Sequence, residues 1–241
     1  MGIRIILIGA GNVAVQLGKT LVKSGGEVIQ VFSRTPASAQ ALAAGLKAGY
    51  TNEIGKIGND ADLYIISVAD DAINGLTEEI NFGKKPVVHT SGTVSMDVLN
   101  RVSENYGVFY PFQTFSKSRD VSFKNIPVCI EANNNTTLEL LKKLAVSVSD
   151  KVYKISSEQR KVLHLAGVFA CNFPNFMYSI AETAQKAQSV KPSEAQTGPA
   201  VRGDEKIIET HLDLLGQYPG FRDLYRIISS EIGRKRGGVG S

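Results

Sequence analysis

The stretch IRIILIGAGNVAVQLGKTLVKSGGEVIQVFSRT, Ile3 to Thr35, decides the fold. Ile3 to Ile8 is a short, nearly continuous apolar run, the pattern of a strand buried on both faces. Gly9-Ala10-Gly11-Asn12-Val13-Ala14 follows at once. Val13 to Lys23 then has helical spacing, with Val13, Leu17, Leu21 and Val22 on one side. Val28 to Phe32 reads as a second strand. Strand, glycine turn, helix, strand is a βαβ unit whose glycines sit where a dinucleotide pyrophosphate is held. Gly9 permits the tight turn, Gly11 lets the backbone approach the phosphates, and Ala14 keeps the helix close to the strand. The first helical N–H groups point at the anion. The alternative is a glycine turn in an α/β domain that binds no nucleotide.

The end of the second strand selects the cofactor. An NAD site usually places Asp or Glu there to hold the ribose hydroxyls. This chain has Ser33-Arg34-Thr35. Arg34 can pair with a 2′-phosphate, and Ser33 and Thr35 can donate hydroxyl hydrogen bonds. The reading is therefore NADP rather than NAD, unless Arg34 is simply a solvated loop residue. The missing acid also weakens a methyltransferase reading.

Outward from this unit, strands and helices alternate. Pro36 to Gly45 reads as a helix, Ala61 to Val68 as a buried strand, and Ala72 to Ile80 as a short helix. Pro86 to His89 is a strand, Asp97 to Ser103 a short helix, and Val108 to Tyr110 and Ile126 to Glu131 further strands. Thr136 to Ser147 is a helix, and Val152 to Ile155 closes the sheet. This alternation predicts an α/β domain with a mostly parallel, doubly wound sheet over residues 1–155. No strand is expected after residue 155, so residues 156–241 read as an all-helical domain. Ser156 and Gln159 form a capping-box signature, and a long helix should run from Ser157 through Met177. From Val162 to Phe173 it is apolar on nearly all sides, the mark of a buried helix. Pro174 should kink it. Two more helices, Asp204 to Tyr218 and Phe221 to Ile232, are separated by Pro219-Gly220.

Composition narrows the class. The 241 residues are 43% hydrophobic, carry a net charge of +4 and include two cysteines, Cys129 and Cys171. Two cysteines form no disulfide framework and fit a reducing, cytoplasmic compartment. No signal peptide precedes Ile3, and no apolar run is long enough to span a membrane. The basic tail Gly233-Arg234-Lys235-Arg236-Gly237-Gly238 reads as a frayed end. No basic face interleaved with aromatics supports nucleic-acid binding, and no metal site is expected.

Ligands of an open α/β sheet bind outside the carboxyl ends of the strands. The cofactor is thus assigned to Gly9, Ala10, Gly11, Asn12, Val13, Ser33, Arg34, Thr35, Val68, Ala69, Asp70 and Thr90. His89 is suited to general acid catalysis near neutral pH, or is a core histidine bonded to a carbonyl. Ser91 lacks a nucleophile's sequence setting and reads as a hydrogen-bond donor. Tyr110-Pro111-Phe112-Gln113-Thr114-Phe115 either lines a cleft, through Tyr110 and Gln113, or is an aromatic packing segment. His164 and Asn172 are polar residues in the apolar helix, ~80° apart around its axis, and need partners in the protein or a ligand. Thr197-Gly198-Pro199 with Arg202, Asp204 and His211 is a dense polar cluster, read as a substrate or partner-subunit site. Asp204 is placed as a helix N-cap.

The opening glycine motif, His89-Thr90-Ser91-Gly92 with Tyr110-Pro111-Phe112-Gln113-Thr114-Phe115, and Thr197-Gly198-Pro199 with Arg202-Gly203-Asp204 and His211 together carry a resemblance. The whole chain resembles two-domain Rossmann-like proteins whose helical C-terminal half is a domain of unknown function. That family is similar to pyrroline-5-carboxylate reductase, deazaflavin-dependent NADP reductase and the 6-phosphogluconate dehydrogenase group. The resemblance implies NADP binding, a small-molecule substrate in a cleft between domains, a 6-phosphogluconate dehydrogenase C-terminal-like helical domain, and a homodimer formed through those helices. It implies a reductase without naming its substrate; the candidate catalytic groups, from the reading of the residues, are His89, His164, Asn172 and Arg202. Two departures stand out. The 3-hydroxyacid dehydrogenases carry a catalytic Lys four residues before the Asn, where this chain has Val168. Relatives also carry more helical sequence before Thr197, whereas Glu182 here runs directly into Thr183. This is either a shortening of the chain or a gap in the sequence, which intact mass compared with 26.0 kDa distinguishes.

Two functions compete. One is an NADP-dependent oxidoreductase moving hydride between NADP(H) and a small imine, a carbonyl or a deazaflavin. The other is a non-catalytic NADP-binding sensor or partner protein.

Overall fold

The computed structural model describes residues 2–116, 119–181 and 197–237. The chain divides into two compact units, one ending at Arg160 and the other starting at Lys161. The segment around Glu182 and Thr183 lies outside the described residues.

The first unit is built on eight strands: β1 (Arg4–Ile8), β2 (Glu27–Phe32), β3 (Gly49–Thr51), β4 (Leu63–Ile66), β5 (Val87–His89), β6 (Tyr106–Pro111), β7 (Val128–Ala132) and β8 (Val152–Lys154). They form one sheet in the order β3-β2-β1-β4-β5-β6-β7-β8. The helices are α1 (Asn12–Lys23), α2 (Pro36–Leu46), α3 (Asp70–Glu79) and α4 (Asn135–Val148). Neighbouring strands run parallel except β6 and β7, which are antiparallel. The described residues between those two include only a 3₁₀ turn, Phe123–Asn125. Without a crossover helix the chain has no route back to a parallel strand.

The apolar run of β1 is explained by two cores. Ile5 and Leu7 face one with Leu17, Leu21, Leu42, Leu46, Leu141 and Leu144. Ile6 and Ile8 face the other with Ile73, Leu76, Leu99 and Val102. All four β1 residues are fully buried, each contributing roughly 1.5–3 kcal/mol. The sheet is therefore doubly wound, and the chain leaves β1 toward β2 on one side and returns to β4 on the other. That switch point is where such sheets bind ligands.

Three local differences from the sequence reading follow from short-range chemistry. Gly49–Thr51 pairs with β2 as an additional edge strand, too short to show periodicity. The helix expected over Asp97 to Ser103 is only a 3₁₀ turn, Met96–Leu99, capped by the Ser95 hydroxyl accepting from the Asp97 N–H. Helix α3 starts at Asp70 rather than Ala72, because two carboxylates in its first turn favour a helix N-terminus.

Helix α5 (Ser157–Gly167) begins in the first unit and continues into the second. The capping box at its start is reciprocal. The Ser156 N–H donates to Gln159 Oε1 at 2.9 Å and the Gln159 N–H to Ser156 Oγ at 3.2 Å. Around Pro174 the helical hydrogen-bond pattern changes. The missing N–H of Pro174 is accommodated by a π-helical turn, Val168–Asn172, before α6 (Phe173–Ala181). The helix is not buried on all sides either. Leu165, Val168, Phe173 and Phe176 face the core, while Val162, Met177 and Tyr178 are 58%, 47% and 65% exposed. The unit is completed by α7 (Pro199–Arg202), α8 (Glu205–Leu214) and α9 (Pro219–Gly237). Pro219 and Gly220 open α9 instead of preceding it, and the basic tail is helical to Gly237 instead of frayed. No helix among the described residues is long and apolar enough to cross a membrane.

Candidate functional site

Gly9, Ala10, Gly11, Asn12 and Val13 leave the carboxyl end of β1. Val68, Ala69 and Asp70 follow β4, Thr90 follows β5, and Ser33, Arg34 and Thr35 follow β2. All twelve assigned positions thus stand at the carboxyl ends of four adjacent strands.

The two turn glycines differ. Gly9 has φ +124°, and a Cβ there would lie 2.1 Å from the Ser67 carbonyl oxygen. The fold itself demands glycine. Gly11 has φ −78° and ψ −174°, open to any residue, and a Cβ added to it meets nothing within 4 Å. It is the N-cap of α1, yet no side chain caps that helix and its first turn holds no acid. Helix α2 also starts without a side-chain cap or an acid, behind Thr35 and Pro36. Arg34 is exposed, and among the described residues it forms no ion pair. Ser33 Oγ accepts from the Thr35 N–H at 3.4 Å.

The ends of β4 and β5 are tied together by hydroxyls. Asp70 Oδ2 accepts from Ser91 Oγ and from Thr93 Oγ1, both at 2.6 Å. Ser91 Oγ in turn accepts from the N–H groups of Thr93 and Val94, so it is a structural hydroxyl. Thr90 Oγ1 donates to Ser67 Oγ at 3.1 Å.

His89 is fully buried. Its Nδ1 accepts from the Ser91 N–H at 3.1 Å, and its Nε2 lies 3.3 Å from the Ser95 carbonyl oxygen, which requires the proton on Nε2. Burial, then the nearby Arg160 guanidinium, pushes its pKa down to about 3. At neutral pH it is a neutral imidazole with both nitrogens engaged, so the general-acid reading of His89 is corrected to a core histidine shaping the loop after β5.

The guanidinium that adds to the effect of burial was not foreseen. Arg160 is fully buried. Its Nη1 donates to Glu131 Oε2 at 2.6 Å, and its Nη2 donates to the Val94 carbonyl and to Ser157 Oγ. Glu131 also accepts the N–H and hydroxyl of Ser157 at 2.8 and 2.7 Å. A charged pair at the end of β7 and the start of α5 thereby anchors the loop after β5. Tyr110 lies next to the end of β6 and is 8% exposed, Phe115 stacks on Phe123 at 5.2 Å, and Gln113 is exposed. The segment packs aromatics.

In the second unit, Asn172 lies in the π turn and abuts Gly198, where an added Cβ would sit 1.9 Å from Asn172 Nδ2. Arg202 Nε donates to Asp204 Oδ2 at 2.6 Å. Asp204 holds the N-cap position of α8, but its side chain makes this ion pair and no cap bond. His164 is half-buried, with its ring 5.4 Å from that of His211.

Comparison with known proteins matches two parts of the chain to two families, the second match starting inside the first unit. Residues 4–92 match the family described as NADP oxidoreductase, coenzyme F420-dependent. Residues 126–190 and 180–232 match a domain of unknown function, DUF2520. A comparison with curated proteins found no match. Among solved structures, the chain is similar to a Bacteroides fragilis protein named "putative NADP oxidoreductase", at 41% identity over 97% of this chain and 98% of that one, TM-score 0.72. It shares the fold of a Thermotoga maritima protein (21% identity, 93% and 99% coverage, TM-score 0.61). It also shares the fold of 1-pyrroline-5-carboxylate reductase from Streptococcus pyogenes (12% identity, 97% and 99% coverage, TM-score 0.63). At 41% identity over nearly the whole of both chains, the protein belongs to the same family as the Bacteroides fragilis protein, the NADP oxidoreductase family in which this nucleotide-binding domain precedes DUF2520.

Proposed function

We propose that the protein is an NADP-dependent reductase of a small imine or carbonyl compound, or of a deazaflavin. The observation that carries this reading is the turn after β1. Gly11 has no conformational or steric need to be glycine, and its missing Cβ leaves open space before an uncapped helix. A bound pyrophosphate supplies the reason and accepts the first-turn N–H groups. Ser33, Arg34 and Thr35 are the groups for a 2′-phosphate, Arg34 being exposed and without an ion pair among the described residues.

NADPH, when bound, supplies the hydride. The protein's own work is to hold the cofactor at the four strand ends, orient the substrate and deliver a proton to the reduced atom. His89 is buried and neutral, and His211 is buried with its pKa likewise pushed down to about 3. His164 is then the remaining histidine for proton delivery. We assign Asn172 and Arg202 to substrate orientation. The chain is further proposed to act in the cytoplasm as a homodimer. The apolar Val162, Met177 and Tyr178 of α5–α6 and Phe221, Leu224 and Ile227 of α9, all at least 45% exposed, supply the surface. Sedimentation velocity measures that state.

The second reading, an NADP-responsive protein without turnover, is favoured by the neutral state of His89 and by Val168 where the 3-hydroxyacid dehydrogenases carry lysine. Calorimetric titration with NADPH and NADH, then NADPH oxidation against imines, ketones and oxidised deazaflavin, separates the two. Tight NADPH binding with no substrate-dependent oxidation selects the sensor. Binding of neither nucleotide removes both readings.

A further inference from the structure

The loop after β5, Thr90 to Met96, is held at both ends by one connected set of hydrogen bonds. At its start, Thr90 Oγ1 donates to Ser67 Oγ at 3.1 Å. Ser67 also shapes the glycine turn, since its carbonyl oxygen is the atom that excludes a Cβ from Gly9. Ser91 Oγ and Thr93 Oγ1 both donate to Asp70 Oδ2, in the first turn of α3. At the other end, Ser157 Oγ accepts from the Met96 N–H at 3.2 Å, and Arg160 Nη2 donates to the Val94 carbonyl. Glu131 Oε2 accepts from both Ser157 Oγ and Arg160 Nη1, at 2.7 and 2.6 Å. All of these residues belong to the first unit.

Stability alone does not account for the charges in this set. The side chains of Arg160 and Glu131 are 1% and 13% exposed. Taking two charges out of water can cost as much as the buried pair returns, so an apolar pair of similar volume often serves stability as well. Nε of Arg160 is also shielded and has no hydrogen-bond partner among the described residues, a further cost. What the pair supplies is direction. The guanidinium is a rigid planar fork, so fixing Nη1 on Glu131 aims Nη2 at the Val94 carbonyl.

We infer that Glu131, Ser157 and Arg160 are positioning residues of the cofactor site. They hold Thr90–Met96 in the arrangement that receives the nicotinamide half of NADPH, and take no part in holding the adenosine 2′-phosphate half. The division follows the strand order. β4 and β5 lie on one side of β1, and β2, which leads into Ser33, Arg34 and Thr35, lies on the other. The inference rests on the reading of these strand ends as an NADPH site, and it holds for the reductase and the sensor alike.

Calorimetric titration of the full-length chain with NADPH and with adenosine 2′,5′-bisphosphate tests it. The second ligand carries the 2′-phosphate half of the cofactor and lacks the nicotinamide half. Ser157→Ala removes an acceptor from the Met96 N–H and from Arg160 and leaves both charges in place. It should weaken NADPH about fivefold or more, the worth of about one hydrogen bond, and leave the bisphosphate within about twofold. Ser157→Thr restores the hydroxyl and should restore NADPH binding. Thr90→Val cuts the loop's bond to Ser67. Combined with Ser157→Ala it should lose less NADPH affinity than the sum of the two, because both act through one loop. Thermal melting identifies any variant that fails to fold, and the unmodified chain gives a readout that needs no variant. NADPH should slow hydrogen exchange in peptides spanning Thr90–Met96, and the bisphosphate should not. Equal loss of both ligands, no loss of either, additive losses, or equal protection of the loop by both ligands overturns the inference. Binding of neither ligand to the unmodified chain removes the cofactor reading, and the inference with it.

Discussion

The two glycines of the β1 turn make opposite predictions under the same substitution. Gly9→Ala places a methyl 2.1 Å from the Ser67 carbonyl oxygen at φ +124°. Backbone strain of about 1–3 kcal/mol adds to overpacking of about 1–3 kcal/mol. At roughly 2–4 °C per kcal/mol for a unit of this size, melting should fall by about 5–20 °C. Gly11→Ala meets nothing within 4 Å and keeps an allowed backbone. It loses part of an N-cap preference, about 0.5–1 kcal/mol, and gains about 0.4–1 kcal/mol from a less flexible unfolded chain. The two terms cancel within about 1 kcal/mol, so melting should stay within about 4 °C of the parent. NADPH affinity should not. A methyl beside first-turn N–H groups forces at least one charge-assisted bond to lengthen, worth about 1.5–3 kcal/mol, or roughly 10- to 150-fold in Kd. Differential scanning fluorimetry and calorimetric NADPH titration on the two variants measure both quantities. A Gly11→Ala chain that melts like the parent and binds NADPH within about twofold of it would refute the pyrophosphate assignment. One that loses more than about 10 °C would show that Gly11 is structural after all.

Arg34→Ala should weaken NADPH by about 10- to 150-fold, the worth of a charged hydrogen bond, and leave NADH nearly unchanged; equal loss for both removes the 2′-phosphate assignment. Glu131→Gln or Arg160→Met should each cost about 3–5 kcal/mol in urea denaturation, because each strands a buried partner. The double variant should lose less than the sum, and strict additivity contradicts the coupling. Stability should also fall with acid. His89 and His211 sit near 3 in the fold and near 6.5 unfolded, so the unfolded chain takes up protons first as pH drops. Their stabilisation is complete above about pH 6.5 and is lost toward pH 3. Between pH 7 and pH 5 each should cost about 2 kcal/mol. Denaturation midpoints at the two pH values measure it, and a His89→Gln chain should lose about half as much. No difference between pH 7 and pH 5 contradicts the buried neutral assignments.

The parts of the fold that sequence made legible are those whose signal is local. Ile5 to Ile8 read as a two-sided strand because its alternate residues enter two separate cores. Ser156 and Gln159 read as a cap because both partners lie within one turn. What escaped depended on distance or brevity. Gly49–Thr51 is three residues long and owes its strand to Gln30–Phe32 of β2. The antiparallel turn of β7 did have a signal, since no helical pattern separates Pro111 from Val128. The apolar helix after Ser157 misled because hydrophobicity alone does not say which sides the chain's own core covers, and Val162 and Tyr178 remain outside it.

The site was legible to the same limit. Residues 9–13 and 33–35 announced themselves because a phosphate site is made from backbone at a turn, and turns are written in consecutive residues. Polar side chains inside a core carry no such mark. Arg160 lies one residue beyond a recognised capping box, yet nothing adjacent to it reveals Glu131, 29 residues upstream, or the Val94 carbonyl, 66 residues upstream. His89 was weighed evenly between acid and core residue, and the deciding facts are its burial and then a guanidinium brought beside it by that tertiary pair. Tyr225 drew no notice in the sequence, although its hydroxyl lies beside His211 Nδ1, fourteen residues upstream. In each case the chemistry of a titratable group was set by a partner distant in sequence. A histidine in a chain such as this one therefore declares its residue type locally and its protonation state only through the fold.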